Sequence, residues 1–355
     1  MHFPGWCQVS RAVEMTDDLL PPAPRRVNDP NRVRERHTRI DVVVPVYNKM
    51  AFLREAVGSI DDAAAAHGDT HVWLVDNGST DESYELLNDE FGRRARARVL
   101  RLMSGTIAAV RNFGASHGTA PIISFIDCDC VVPADYFTRL EAVMAETAAE
   151  GTGCAVILPP NPTWVEAVWN RMHDDGADGE RTWINSANFA VRREIFERIG
   201  GFNEACETDE DTEICYRIRR AGGRLVSDRR LAVAHLDNAK TLGAFFRKER
   251  WRATGMFSTL AIGSIDKATI MMTAHTLALL AAVAVAILAP VGVWIRFPVA
   301  TVLVLVVPVT TVLYRRRSSV ARFGVVPGIV LYEIFYLARV CALAIIINRA
   351  RRARP

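Results

Sequence analysis

The chain has 355 residues, 50% hydrophobic and 23% charged, with a formal net charge of +3. That length admits one large domain or two modest ones, and the near-balanced charge gives no sign of a nucleic-acid partner. Seven cysteines without a C-x-x-C pair argue against a disulfide framework and against cysteine-held zinc, and fit a reducing cytosolic setting.

Residues 1–38, rich in Pro, Arg and Asp, read as a disordered arm. They lack the continuous apolar core of a signal peptide, and Met15-Thr16-Asp17-Asp18 is acidic. Residues 40–44 read as a first strand, closed by Pro45 ahead of Val46-Tyr47-Asn48, with a helix over about 51–67. A second strand at 71–75 ends in Asp76-Asn77-Gly78-Ser79-Thr80-Asp81, before a helix at about 82–91. A short strand at 98–102, a helix at 107–117 and an apolar strand at 122–126 follow. This alternation predicts an α/β fold with a mostly parallel sheet covered by helices on both faces. Right-handed crossovers place the parallel strand ends on one edge, which brings Tyr47, Asp76 and Asp127 together.

The second half reads as a helix at 134–149, a strand at 154–158, a loop carrying Trp164 and Trp169, and an acidic, Gly-rich loop at 174–180. A strand at 188–191 leads into a helix at 193–199 stopped by Gly200-Gly201. The acidic cluster 207–211 opens a helix at 212–221, and a strand at 231–234 precedes His235. From about residue 268 the chain is apolar, with spans expected at 270–289 and 297–314. They form a hairpin turning near 290–298, and Arg315-Arg316-Arg317 marks the cytoplasmic side. Residues 324–347 contain Glu333 and Arg339 and precede a basic tail, so a third full span would carry that tail outside. An in-plane interfacial or re-entrant helix keeps it inside.

Asp127-Cys128-Asp129 follows the apolar strand at 122–126, so both acids stand at its carboxyl end, the ligand edge of an open α/β sheet. Residues i and i+2 of extended chain share a side, and two carboxylates there stay ionised only with a cation between them. Mg²⁺ or Mn²⁺ with a substrate diphosphate fills that role; a pair of helix-capping aspartates is the alternative. Asp76 and its neighbours fit a nucleoside contact and a plain Asx turn equally well. Arg111 of Arg111-Asn112-Phe113-Gly114 can fork onto a diphosphate or simply face solvent. Glu210 and Asp211 sit where a helix dipole favours carboxylates, and Asp211 is the candidate general base. His235 is a structural histidine or a further metal ligand beside Asp129. Arg247, Arg250, Trp251 and Arg252 form a basic-aromatic cluster, suited to an interface anchor or to a diphosphate and acceptor clamp.

These segments occur in the order found in one family. Residues 40–260 resemble the membrane-associated, inverting family 2 glycosyltransferases of GT-A fold, through Val42-Val43-Val44-Pro45-Val46-Tyr47-Asn48, Val75-Asp76-Asn77-Gly78-Ser79-Thr80-Asp81, Arg111-Asn112-Phe113-Gly114, Asp127-Cys128-Asp129, Arg192-Arg193 with Ile199-Gly200-Gly201-Phe202, and Glu210-Asp211-Thr212-Glu213-Ile214. The resemblance implies a catalytic domain at 39–265, with a nucleotide-binding half at 39–130 and an acceptor half at 131–265, and a membrane part at 266–355. It implies a nucleotide pocket lined by Pro45, Tyr47, Asn48, Asp76, Asn77, Arg111 and Asp127, and a metal on Asp129 with Asp127 and His235. It makes Asp211 the base with Glu210 beside it, and puts Arg250 and Trp251 near the diphosphate and acceptor. The implied partners are a nucleotide-diphosphate sugar and a membrane lipid or lipid-linked acceptor at the cytosolic membrane face. Arg247 stands where processive synthases carry Gln in Q-x-x-R-W, which weighs against the alternative of a processive polysaccharide synthase. Intact Asp129 and Asp211 weigh against a non-catalytic nucleotide-sugar-binding scaffold. The loop Tyr47-Asn48-Lys49-Met50 lacks the glycines that a nucleotidyltransferase needs.

Overall fold

A computed structural model describes residues 37–173, 178–255, 267–318 and 323–352; the arm expected at 1–38 lies almost wholly outside them. The first half alternates β1 (Ile40–Val46), α1 (Met50–His67), β2 (Thr70–Asp76), α2 (Ser83–Glu90), β3 (Ala97–Arg101), α3 (Ile107–Ser116) and β4 (Ile122–Ile126). Then come β5 (Cys130–Val131), α4 (Tyr136–Thr147), β6 (Gly151–Gly153), α5 (Trp164–His173), β7 (Gly179–Arg181), β8 (Asn188–Arg192) and α6 (Arg193–Arg198). The soluble part closes with α7 (Glu210–Arg220), β9 (Leu225–Ser227), β10 (Ala234–His235) and α8 (Leu242–Arg252).

Eight strands form one sheet in the order β3-β2-β1-β4-β8-β6-β9-β7. β1 is parallel to both β2 and β4, while β8 runs antiparallel to β4. The chain therefore builds outward from β1 through β2 to β3, then returns to place β4 on the other flank of β1. At such a reversal the loops leaving two neighbouring strands diverge and open a crevice. Tyr47 and Asn48 leave β1 at that point, and Asp127 to Asp129 leave β4.

β1 is buried along its whole length because it is covered on both faces. Val42 and Val44 pack with Leu53, Val57 and Ile60 of α1, while Val43 packs on the other face with Val110 of α3 and Phe125 of β4. A strand covered on both faces reads as a continuous β-branched run, as this one does. Each such side chain contributes about 1.5–3 kcal/mol on burial. Gly114 lets α3 lie close, since a Cβ there would stand 2.4 Å from Val43 Cγ1.

Several boundaries differ from the sequence expectations. Pro45 lies inside β1 instead of closing it. The last β1–β4 pair is Val43 with Phe125, so no ladder acceptor waits for a Pro45 amide, while Val46 O still accepts from Asn77 N at 2.8 Å on the β2 side. The apolar run 154–158 is not a strand; the strand is the glycine-rich β6 just before it. A Cβ on Gly153 would lie 2.2 Å from Asn188 O, so the close approach to β8 demands glycine and hides the strand from propensity. Of the run, only Ile157 makes an isolated bridge, to Ala234. Trp164 and Trp169 belong to a helix, α5, and β7 begins within the expected acidic loop, whose residues 174–177 lie outside the described ones. α7 starts at Glu210, earlier than expected, and β9 was not anticipated. Residues 229–231 form a 3-10 turn, leaving only Ala234–His235 as a strand.

The C-terminal part comprises α9 (Lys267–Leu288), α10 (Val293–Ser318) and α11 (Val325–Arg352), all three long and apolar enough to cross a membrane. The α9–α10 turn is shorter than expected: Phe297 and Pro298 already belong to α10, and Arg296 donates to the carbonyls of Ala286, Ala289 and Val291, capping α9. Protein covers 17% of the apolar window in α9 and in α10, against 39% in α11. The difference arises because α11 lies along the soluble part. The Trp169 ring stands 5.7 Å from Tyr332 and 5.4 Å from Phe335, and Arg339 Nη2 is 3.5 Å from Glu249 Oε2 on α8.

Candidate active site

Arg111, on the face of α3 turned to the sheet, is 2% exposed and bridges two distant carboxylates. Its Nη2 lies 2.8 Å from Asp127 Oδ1 and its Nη1 lies 2.6 Å from Glu210 Oε1, which also accepts from Ser186 Oγ at 2.9 Å. One guanidinium thus ties the end of β4 to the start of α7. Burial alone would favour its loss of charge, but Asp127 and Glu210 outweigh that and hold its pKa above the ordinary value. The ring of Phe202 lies 5.6 Å from the guanidinium carbon.

Asp211 follows Glu210 at the N-terminus of α7. Burial, then the neighbouring charges of Glu210 and Asp209, raise its carboxyl from 3.8 to about 7. Its Oδ1 accepts from its neighbour's amide, Thr212 N, at 2.7 Å. A carboxylate poised near neutrality suits a general base.

Asp129 is placed by a small antiparallel pair, β5 with β10, in which His235 faces Cys130 and Leu236 N donates to Asp129 O at 2.8 Å. His235 Nε2 comes to 3.4 Å from Asp129 Oδ1, a buried atom with no hydrogen-bond partner. Ligand atoms of Asp129, Cys130 and His235 all lie within 4.8 Å of one another. Two neighbouring ligands of an octahedral ion at about 2.1 Å stand about 3 Å apart. A carboxylate and an imidazole at this separation therefore fit a divalent cation such as Mn²⁺, for which imidazole is an accepted ligand. Burial lowers the pKa of His235 and so favours its neutral, coordinating form. Burial also pushes the Cys130 thiol well above its usual value, which leaves it a poor ligand for a hard ion.

The other oxygen of Asp129 is taken. Lys49 Nζ lies 2.6 Å from Asp129 Oδ2 and also pairs with Asp237. Burial alone would lower the lysine pKa, but Asp129 and Asp237 outweigh it and hold the ammonium above its ordinary value.

On the β1–β2 side, the expected residues are tied into the two loops by hydrogen bonds. Asp76 is fully buried; it accepts from Gly78 N at 3.1 Å and Ser79 N at 3.3 Å and lies 3.2 Å from Arg101 Nε, so its carboxylate is committed to the turn. Gly78, at φ 69°, has no alternative, since a Cβ would meet Met103 O at 2.5 Å. Asn48, at φ 51°, accepts from Thr80 N at 2.8 Å through Oδ1 and so links the two loops. Asn77 donates to Gly105 O at 2.9 Å, while its Oδ1 is buried without a partner. Tyr47 is 55% exposed, a free ring at the rim, whereas Pro45 is buried in the strand.

A sequence model described as "Glycosyl transferase family 2" matches residues 41–202, and one described as "Glycosyl transferase family group 2" matches residues 122–315, more than half of the chain. The chain belongs to the family 2 glycosyltransferases. It is 26% identical over 248 residues to the pre-mycofactocin glycosyltransferase of Mycobacterium tuberculosis, covering 65% of this chain and 49% of that one. It is 26% identical over 220 residues to the succinoglycan biosynthesis protein ExoA of Rhizobium meliloti, covering 58% and 66%. With the uncharacterized glycosyltransferase EpsJ of Bacillus subtilis it shares 30% identity over 115 residues, covering 32% and 33%. The chain thus spans between a third and two thirds of the length of these relatives. The mannosyltransferase PcManGT from Pyrobaculum calidifontis, solved with GDP-Man and Mn²⁺, shares the fold at a TM-score of 0.55 and 16% identity over 88% of both chains. The fold is GT-A, followed by apolar helices.

In this glycosyltransferase domain, α8 turns an unexpected residue toward the crevice. Lys248 Nζ donates to Asp237 O at 2.8 Å. Trp251 is 58% exposed, and Arg250 lies over the Phe246 ring at 5.9 Å; among the described residues, no hydrogen bond or ion pair ties either side chain to Asp127, Asp129 or Asp211. Sequence reasoning missed Lys49, Ser186, Asp237 and Lys248 as site residues. Asp237 carried a signal, two positions after His235 in a stretch beginning with strand, where alternate residues share a side. Ser186 carried none, because its place is set by the packing of β8 against β4.

Proposed function

We propose that this protein is a metal-dependent, inverting glycosyltransferase. It moves a sugar from a nucleotide-diphosphate donor to a hydroxyl acceptor, with residues 39–265 as catalytic domain and 266–355 as membrane part. The observation that carries the reading is the Arg111 bridge, which brings the α7 start, and with it Asp211, within one guanidinium of the strand-end acids.

Tyr47 offers a ring to the nucleobase, and the unpartnered Asn77 Oδ1 offers an acceptor to a base or ribose donor. Asp127, with its orientation fixed by Arg111, faces the nucleotide. Asp129 and His235 would hold Mg²⁺ or Mn²⁺, which when bound neutralises charge on the diphosphate leaving group. PcManGT, whose structure contains GDP-Man and Mn²⁺, supports a donor and a cation of these classes. Asp211 accepts the proton of the acceptor hydroxyl as its oxygen bonds to the anomeric carbon. The bond from that carbon to the diphosphate breaks, and the leaving oxygen keeps the electron pair. One displacement with one base and no enzyme nucleophile inverts the anomeric centre.

The α9–α10 hairpin, with little of its apolar surface covered by protein, supports membrane attachment. The contact of α11 with α5 and α8 supports an in-plane helix carrying the catalytic domain at the cytosolic face. A lipid-linked or cell-envelope glycan acceptor fits that position, because confinement to the same surface raises its effective concentration. The test is release of nucleoside diphosphate from a panel of nucleotide sugars with Mn²⁺, with and without polyprenyl-linked or lipid acceptors. Acceptor-dependent release with an inverted anomer is expected. Donor binding without release under every condition would leave a scaffold, and repeated addition to one acceptor would make it a processive synthase.

A further inference from the structure

Three side chains of metal-binding type converge at the amino end of the sheet, away from the crevice at its carboxyl end. His37 precedes β1, His67 ends α1, and Glu141 lies on α4. His37 Nδ1 is 2.8 Å from Glu141 Oε2, and His67 Nε2 is 3.4 Å from the same oxygen. The three ligand atoms all lie within 4.8 Å of one another. Donor atoms around a tetrahedral zinc at about 2.0–2.1 Å are about 3.3 Å apart, so the His67–Glu141 contact already matches, the His37–Glu141 contact would open by about half an ångström, and the two imidazole nitrogens, within 4.8 Å, would close around the ion.

The outer partners are already in place. Thr70 Oγ1 is 2.8 Å from His67 Nδ1 and can accept a hydrogen bond from Nδ1–H, which leaves the Nε2 lone pair facing the cluster. Thr38 N donates to Glu141 Oε1 at 2.6 Å, leaving Oε2 for the shared position. Such partners orient imidazole and carboxylate ligands in metal sites. The His67 side chain is fully buried, whereas that of His37 is 38% exposed, so the open side of the cluster faces solvent. The cysteine spacing that argued against structural zinc does not bear on this set, which uses no thiol.

We propose that His37, His67 and Glu141 form a binding site for Zn²⁺ or a similar first-row divalent ion, with water as the fourth ligand, fastening the chain ahead of β1 to α1 and α4. The same contacts could act as hydrogen bonds from two imidazoles to one carboxylate, and the experiment separates the two. The full chain in detergent, carrying Asp129→Asn to disarm the crevice, is stripped with chelator and titrated with Zn²⁺ against a chromogenic chelator. Zinc uptake is expected to fall by one per chain, or its affinity by at least tenfold, in both His37→Ala and Glu141→Gln. Co²⁺ in place of Zn²⁺ is expected to give the visible absorption of a tetrahedral site, lost in the same variants. His37 is partly exposed, so its variant keeps the test valid if Glu141→Gln fails to fold. Unchanged zinc stoichiometry and affinity in folded His37→Ala, or no zinc uptake by the parent, overturns the proposal.

Discussion

Asp211 provides the sharpest test, because one side chain links stability and rate through pH. Its carboxyl stands at about 7 in the fold against 3.8 ordinarily, with burial as the leading cause. The displacement corresponds to about 4 kcal/mol of preference for the neutral form. The side chain is only partly buried, so solvent screening leaves about 2 kcal/mol as the working figure. Because the folded value is raised, this stabilisation is complete below 3.8 and is lost as pH rises through about 7. Asp211→Asn stays neutral throughout and does not lose it. Between pH 4 and 8 the wild type should therefore lose about 2 kcal/mol relative to the variant, roughly 4–8 °C in Tm for a domain of this size. The same titration governs rate. Wild-type kcat/KM should fall about tenfold per pH unit below about 7, while Asp211→Asn should be flat there and roughly 10²–10⁴-fold slower. Thermal melts and donor turnover at matched pH provide both readings. Parallel Tm–pH curves for the two proteins, or near-wild-type turnover by Asp211→Asn, would refute the assignment.

Asp129→Asn should abolish the Mn²⁺ dependence of donor binding, measured by calorimetry with and without the cation; an unchanged metal response would exclude Asp129 as a ligand. Arg111→Met leaves Glu210 and Asp127 without their shared cation and should cost about 3–5 kcal/mol, a drop on the order of 10 °C in Tm. Adding Glu210→Gln should recover part of that loss, and strict additivity of the two changes would show that the bridge does not couple them. Lys49→Met removes a positive charge from Asp129 and should tighten divalent-cation binding in the absence of nucleotide by about tenfold. Weaker binding in that variant would mean that Lys49 supports the cation site.

Much of the first half of the sheet was legible in the chain. The β-branched run at β1 and the apolar β4 could only be strands covered on both faces, and their order fixed a parallel sheet with its switch point between them. The acids at 127 and 129 then had to lie at the crevice, since strand ends set where the loops diverge. The second half was less legible because glycine drives its key strand. β6 exists through close approach to β8, which no propensity scale registers, and the adjacent apolar run drew the assignment away from it.

Within the site, the sequence determined which chemistry was present: carboxylates after strands, an arginine on a helix, a histidine after an apolar stretch. Tertiary structure decided the pairings. Arg111 meets Glu210 across 99 positions, and Lys49 meets Asp237 across 188. The two-residue pairing of β5 with β10 is what sets His235 beside Asp129. Each of these depends on the relative placement of elements in the folded sheet, and local pattern carries no information about that. The same holds for α11. Its apolar composition was plain from the sequence, but only the tertiary structure shows that one flank packs against α5 and α8.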